Sequence, residues 1–198
     1  MNLPDRVRLP IHFEPAGLQS DLTGLVDSDW IEHFVKQNFE GDWSVLPLRA
    51  RAGATHPVMQ IYSDPGATDY VDTPLLDRCP YIRQALAALD FPLQAVRLMR
   101  LTPGSVIKEH RDNDLDAEAG SIRLHVPVTT NPGVVFEVNR KRVDMAPGSV
   151  WYLRLSDPHR VANTGTADRV HLVIDGAAND WILALLRQAA AGGDAVNA

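Results

Sequence analysis

From residue 93 onward the chain is cut at nearly even intervals into short segments, and no other feature restricts its fold as much. The segments LQAVRLMRL, GSVI, SIRLHVPVTT, GVVFEVN, KRVDM, SVWYLRL and DRVHLVIDG carry the β-branched and aromatic residues of strands. TPG, NPG, NRK, APG and NTGTAD stand between them, all sets of turn formers. Short strands at this spacing build antiparallel sandwiches. The expected fold is therefore mostly β with flanking helices, its core a double-stranded β-helix or jelly roll.

The flanks read differently. Ser28 to Phe39 places Ile31, Phe34 and Val35 at helical spacing behind Ser28 as a cap, and Pro80 to Asp90 does the same with Ile82, Leu86 and Leu89. WSVLPLRA and HPVMQIY read as short strands between these helices. AANDWILALLRQAA returns to helical periodicity with Trp181, Leu183 and Leu186, and the tail AGGDAVNA is expected to fray. With no repeat and no low-complexity linker, residues 1–198 are expected to form one domain. In it an α/β front part, 1–92, packs on a jelly-roll core, 93–176, followed by a C-terminal helix and tail, 177–198.

Composition narrows the setting. A formal net charge of −6 disfavours non-specific binding to nucleic acid or acidic lipid, so basic residues are expected to have local roles. The single cysteine, Cys79, excludes an internal disulfide framework. No secretory signal or membrane-length apolar run is evident. The cytoplasm is the expected location, with a small-molecule or peptide substrate as partner.

Side chains alternate faces along a strand, so residues two apart share a face. SIRLHVPV puts Arg123 and His125 opposite Ile122, Leu124 and Val126. DRVHLVIDG puts Arg169, His171, Val173 and Asp175 opposite Val170, Leu172 and Ile174. Either polar face alone is equally the wet side of a sheet. Two such faces lining the space between the sheets of a jelly roll would instead make a site. Arg97 and Arg100 have opposite parity, so only one of them can join it.

His110 and Asp112, in EHRDN, also share a face if that segment is extended, and His159 follows in SDPHRVANTG beside a turn. Alone, each reads as a polar loop residue. Together, two imidazoles and a carboxylate are the facial set of non-haem iron(II) oxygenases, and the lack of nearby cysteines argues against structural zinc. Ten residues past His159 stands Arg169. Its planar guanidinium can grip the distal carboxylate of a chelating 2-oxoacid, or pair structurally with Asp168 or Asp175.

RLTPGSVIKEHRD, SIRLHVPV, APGSVWYLRLSDPHRVANTG and DRVHLVID, in that order from Val96 to Asp175, resemble the aspartyl/asparaginyl β-hydroxylase family of Fe(II)- and 2-oxoglutarate-dependent dioxygenases. Bacterial amino-acid hydroxylases such as the proline cis-4-hydroxylases belong to it. GDWSVLPLRA, with Trp43, is similar too. The resemblance implies a cupin-like jelly roll in which His110, Asp112 and His159 ligate iron and Arg169 binds the distal carboxylate of 2-oxoglutarate. Arg123 and His125 match the family's RxH pair, which contacts the cosubstrate or an acidic group of the substrate.

Asp112 departs from the animal enzymes, which lack that carboxylate, and Met99 replaces a serine that they offer to the cosubstrate. The implied reaction consumes 2-oxoglutarate and O2, releases succinate and CO2, and hydroxylates an unactivated C–H of a free amino acid, a peptide residue or a related carboxylate. The competing readings are a cupin-like metal enzyme that does not use 2-oxoglutarate and a non-catalytic binding module. The loops 62–74 and 114–121 are expected to close over the site, their acidic residues facing either a cationic substrate or water.

Overall fold

The computed structural model describes residues 3–62, 64 and 66–192. The chain opens with strand β1 (Arg6–His12) and helix α1 (Pro15–Thr23), then the short strands β2 (Ile31–Glu32) and β3 (Phe39–Glu40) and the long β4 (Trp43–Arg51). Helix α2 (Pro57–Ile61), strand β5 (Tyr70–Asp72) and helix α3 (Pro80–Ala87) complete the front part. The regular strands follow: β6 (Leu93–Leu101), β7 (Val106–His110), β8 (Ser121–Thr129), β9 (Val134–Val138) and β10 (Lys141–Arg142). After β11 (Ser149–Leu153), β12 (His159–Asn163) and β13 (Arg169–Ala177), helix α4 (Asp180–Ala191) ends the described chain.

Two sheets face each other. The larger has the order β1-β11-β8-β13-β6-β4-β2, with β5 added to β4, and the smaller β10-β9-β12-β7-β3. All pairings are antiparallel, as a double-stranded β-helix requires. The apolar residues divide by parity. Leu46, Leu48, Val96, Leu98, Ile122, Leu124, Val126, Val150, Tyr152, Val170, Leu172 and Ile174 pack outward against Leu18 of α1, Ile82 and Leu86 of α3, and Ile182 and Leu186 of α4. On the opposite parity Trp43, Val45, Met99, Leu101, Trp151, Leu153 and Val173 meet Ile107, Phe136, Val138 and Val161 of the smaller sheet.

Several local expectations change. No helix spans 28–39. That stretch holds β2 and β3, with short 3-10 turns at Asp27–Asp29 and Lys36–Asn38. Ile31 pairs with Val45 of the larger sheet and Phe39 with Ile107 of the smaller, so the segment bridges both sheets and tertiary pairing overrides a weak helical pattern. HPVMQIY is not a strand but contains α2. His56 Nδ1 accepts from the Val58 N–H and Pro57 takes the first helical position, where its missing donor is harmless. β1 was not legible because Pro10 interrupts it. The strand pairs with β11 alone, and a sheet edge tolerates proline.

In α4 the buried line is Ile182, Leu186 and Ala189, with Trp181 and Leu183 half-buried beside it. Of the tail, residues 193–198 lie outside the described residues. At Gly148, of the APG turn, φ is +77° and a Cβ would stand 2.0 Å from the Phe13 carbonyl oxygen, so this turn requires glycine. Among the described residues no helix is long and apolar enough to cross a membrane.

Cys79 is fully buried in the outer core, and that burial pushes its thiol up to about 11. A thiol reagent at pH 8 is expected to leave the native protein unmodified and to label it once after unfolding in urea. Rapid labelling of the native protein would contradict the outer core described above.

Candidate metal centre and cavity

Strand β7 ends at His110, and the next two residues turn against the loop before β12. The Asp112 N–H donates to the Leu155 carbonyl at 2.9 Å, and its own carbonyl accepts from the Leu115 N–H at 3.0 Å. The turn, rather than an extended strand, thus aims Asp112. Arg111 points away and donates to the Ser156 carbonyl at 2.9 Å. His159 is the first residue of β12, not a turn residue, and stands directly across from His110 in the ladder. The two rings lie 4.2 Å apart between centroids.

The donor atoms of His110, Asp112 and His159 all fall within 4.8 Å of one another. His110 Nδ1 is 2.7 Å from the Lys108 carbonyl and His159 Nδ1 is 3.0 Å from that of Asp157. A carbonyl only accepts, so each Nδ1 carries the proton and each Nε2 presents a lone pair. Burial, and then the neighbouring His110, lowers the His159 pKa to about 4, so that ring is neutral and ready to ligate at pH 7. Two imidazole nitrogens and one carboxylate, grouped on one side, fit a divalent first-row metal.

Behind this triad runs a buried chain of charge. Arg123 donates from Nη1 to Asp112 Oδ2 at 2.9 Å, from Nε to Asp175 Oδ1 at 2.6 Å and from Nη2 to Asp175 Oδ2 at 2.8 Å. Asp175 faces Arg123 across the β13–β8 ladder and also accepts from Arg97, whose Nη1 donates to the Ile61 carbonyl at 2.9 Å. Burial opposes the charge on Arg123, yet Asp175 and Asp112 outweigh it and hold its pKa above the ordinary value. For Arg97 burial dominates, and the pKa falls despite Asp175. Arg97 is thus the inward member of its pair. Arg100 turns outward to Asp27 and lies over the Trp30 ring.

Triad and charge chain line one cavity of about 280 Å3, together with His125, Arg169, Phe136, Met99, Trp43 and His33. The polar faces of β8 and β13 therefore form a site and not a wet surface: Arg169 is 1 % exposed and His125 5 %. Among the described residues no carboxylate pairs with Arg169, so the structural pairing with Asp168 or Asp175 is not made. Its Nε, the His125 Nε2, the Arg97 Nε and the Trp43 Nε1 are buried and have no hydrogen-bond partner among the described residues. An orphaned buried polar atom is costly, and four at one cavity point to ligand groups that satisfy them.

The model of the aspartyl/asparaginyl beta-hydroxylase family matches residues 17–178. The chain belongs to this family. Among curated proteins this β-hydroxylase-family chain is similar to the L-proline cis-4-hydroxylase of Rhizobium meliloti (strain 1021), with 28% identity over 181 residues. The match covers 89% of this chain but 62% of that protein, so the chain spans less than two thirds of the relative's length. Two solved structures share the fold. A 2OG-Fe(II) oxygenase family oxidoreductase from Burkholderia pseudomallei has a TM-score of 0.53 at 16% identity, covering 89% of this chain and 88% of that one. A Pseudomonas putida prolyl-4-hydroxylase has a TM-score of 0.51 at 14% identity, covering 88% and 93%.

Within this β-hydroxylase-family cavity His33 is the residue that sequence reasoning missed. Its ring stacks on Trp43 with centroids 3.6 Å apart, and burial together with Arg97 lowers its pKa to about 4. No spacing marks it; its place follows from β2 pairing with β4. Of the two loops expected to close over the site, Tyr62 from the first and Asp114, Leu115 and Ser121 at the second line the cavity. In the first loop, residues 63 and 65 lie outside the described residues. Asp64 and Asp72 pair with the surface arginines Arg51 and Arg49, so these two do not bias the cavity toward a cationic substrate.

Proposed function

We propose that the chain is an Fe(II)- and 2-oxoglutarate-dependent dioxygenase that hydroxylates an unactivated C–H of a free amino acid, an amino-acid residue in a peptide, or a related carboxylate. The observation that carries this reading is the presence, in one cavity, of an open His110–Asp112–His159 set and a buried arginine, Arg169, that has no acid of its own among the described residues. In balance, 2-oxoglutarate, O2 and the substrate C–H give succinate, CO2 and the alcohol. Iron(II) held by the three ligands would supply the oxidation that couples decarboxylation to hydroxylation. No protein group need act as general base.

What this chain's own residues do is bind and orient. Arg169 receives the distal carboxylate of 2-oxoglutarate in a charge-assisted fork, with His125 Nε2 as a further polar contact. Arg123 orients Asp112. A guanidinium has five N–H groups, so Arg123 keeps two beyond its three bonds to Asp175 and Asp112 for a carboxylate of cosubstrate or substrate. Among the described residues Trp43 Nε1 and Arg97 Nε are unpartnered donors left for the substrate's polar end. A cavity of about 280 Å3 sits at the low end of ligand pockets, which supports a small substrate beside the cosubstrate. Acidic net charge and a lone buried thiol support a cytoplasmic enzyme acting on neither nucleic acid nor membrane.

Purified protein with Fe(II), ascorbate and air is expected to convert 2-oxoglutarate to succinate. A screen of amino acids and dipeptides should find those that accelerate release, and mass spectrometry should find the product heavier by one oxygen. By calorimetry, Arg169→Ala is expected to weaken 2-oxoglutarate binding roughly 100-fold, the loss of two hydrogen bonds to a charged group. Wild-type protein that fails to bind 2-oxoglutarate overturns the reading.

A further inference from the structure

Among the described residues no carboxylate neutralises Arg169, which is unusual for a cation this deeply buried. Its Nη2 lies 2.8 Å from His171 Nδ1, and its guanidinium carbon lies 5.7 Å from the centre of the Phe136 ring. Asp175, on the same face of the same strand, is taken by Arg97 and Arg123. A guanidinium can only donate, so His171 Nδ1 must accept and its single ring proton sits on Nε2. Burial, followed by the charge of Arg169, holds His171 in this neutral form. The His125 Nδ1 is 3.5 Å from the same atom, too far to compete for a lone pair already engaged at 2.8 Å. Phe136 stacks over His171 at 6.5 Å with the ring planes 9° apart, which fixes the imidazole.

His171 is 1 % exposed and, unlike Arg169 and His125, does not line the cavity. Any effect on a ligand must pass through Arg169. A carboxylate at position 171 would hold the guanidinium more tightly, but would cancel the charge a dianionic ligand seeks. An apolar residue would leave the fork unanchored. We infer that His171 is a positioning residue: its neutral imidazole aims Arg169 by accepting one hydrogen bond, and so leaves the full positive charge facing the cavity for the distal carboxylate of 2-oxoglutarate. This rests on the reading of Arg169 given above and adds the reason why that arginine is both ordered and uncompensated.

Three substitutions of nearly equal shape separate the possibilities, because Asn and Asp place an oxygen near the position of His Nδ1 and Leu places a methyl there. Calorimetric titration of the Mn(II)-loaded protein with 2-oxoglutarate is the readout, compared with 2-oxobutyrate, which lacks the distal carboxylate. His171→Asn is expected to bind 2-oxoglutarate within about 3-fold of wild type, and His171→Leu about 10-fold more weakly. His171→Asp is expected to lose roughly 100-fold or more for 2-oxoglutarate while its affinity for 2-oxobutyrate stays unchanged, a split that a general packing defect would not produce. Circular dichroism melting reports whether each variant is folded. Should the Asp variant fail to fold, the contrast between Asn and Leu decides.

Equal 2-oxoglutarate affinity in all folded variants, or an Asn variant as weak as Leu, overturns the role of His171 while the assignment of Arg169 stands. Wild-type protein that binds no 2-oxoglutarate overturns the assignment of Arg169 itself, and this inference with it.

Discussion

Asp112→Ala is expected to lower metal affinity by more than about 100-fold and to abolish 2-oxoglutarate turnover, with little change in thermal stability. Removing a group that merely orients a ligand costs 10–100-fold in typical metal sites, and in the proposed site Asp112 would supply a ligand atom itself. The two histidines that remain can bind a metal only through an uncharged imidazole nitrogen. The variant site would therefore lose its only anionic ligand together with one of three metal contacts. The fold should tolerate this, because Arg123 keeps both of its bonds to Asp175 and Asp112 sits on a half-exposed turn. Anaerobic titration with Fe(II) measures the affinity, and melting curves of the apo-protein measure the stability. Unchanged affinity would mean that His110 and His159 alone hold the metal and that Asp112 serves Arg123.

Asp175→Leu is expected to do the opposite and damage the fold first. Asp175 is 3 % exposed and accepts from both Arg97 and Arg123, which are themselves buried. Taking one partner from a buried ion pair costs about 3–5 kcal/mol, because the remaining charge has neither water nor counter-ion. Here two guanidiniums lose it at once, and only Arg123 retains a carboxylate, that of Asp112. For a domain of this size such a loss lowers the melting temperature by roughly 6–20 °C. Urea unfolding followed by circular dichroism gives the free energy directly. A loss below about 1 kcal/mol would show that the network contributes little to stability. Asp175→Asn, which keeps an acceptor but not the charge, should fall between the two.

Much of the architecture was legible because β8 and β13, at the centre of the larger sheet, are buried on both faces by different chemistry. On β8 and β13 the alternation of Leu, Val and Ile with Arg, His and Asp fixes which residues look outward, and the structure follows that parity. The triad was legible from residue type and the shared segment EHRDN, although His159 proved to begin a strand. What stayed hidden depends on register between distant strands. Spacing alone offers Asp175 as a mate for Arg169, six residues away on its own strand, whereas it accepts from Arg123 and Arg97 on the two flanking strands. His33 was hidden because residues 28–39 take their conformation from two sheets and not from their own spacing. α2 was hidden because one turn of helix carries too few residues to show a period.

The split between outward and inward residues on β4, β6, β8, β11 and β13 bears on how such a protein can change its chemistry. The outward set, locked against α1, α3 and α4, is the larger apolar core. The inward set shapes the reacting space. A substitution at Trp43 or Met99, which belong to the inward set and line the cavity, thus alters what fits beside the triad without opening a hole in the packing that keeps the helices in place. Apart from the Asp175 network, the scaffold can drift in specificity while holding its stability nearly constant, which makes those two positions the natural first choices for redirecting the cavity to a different small molecule.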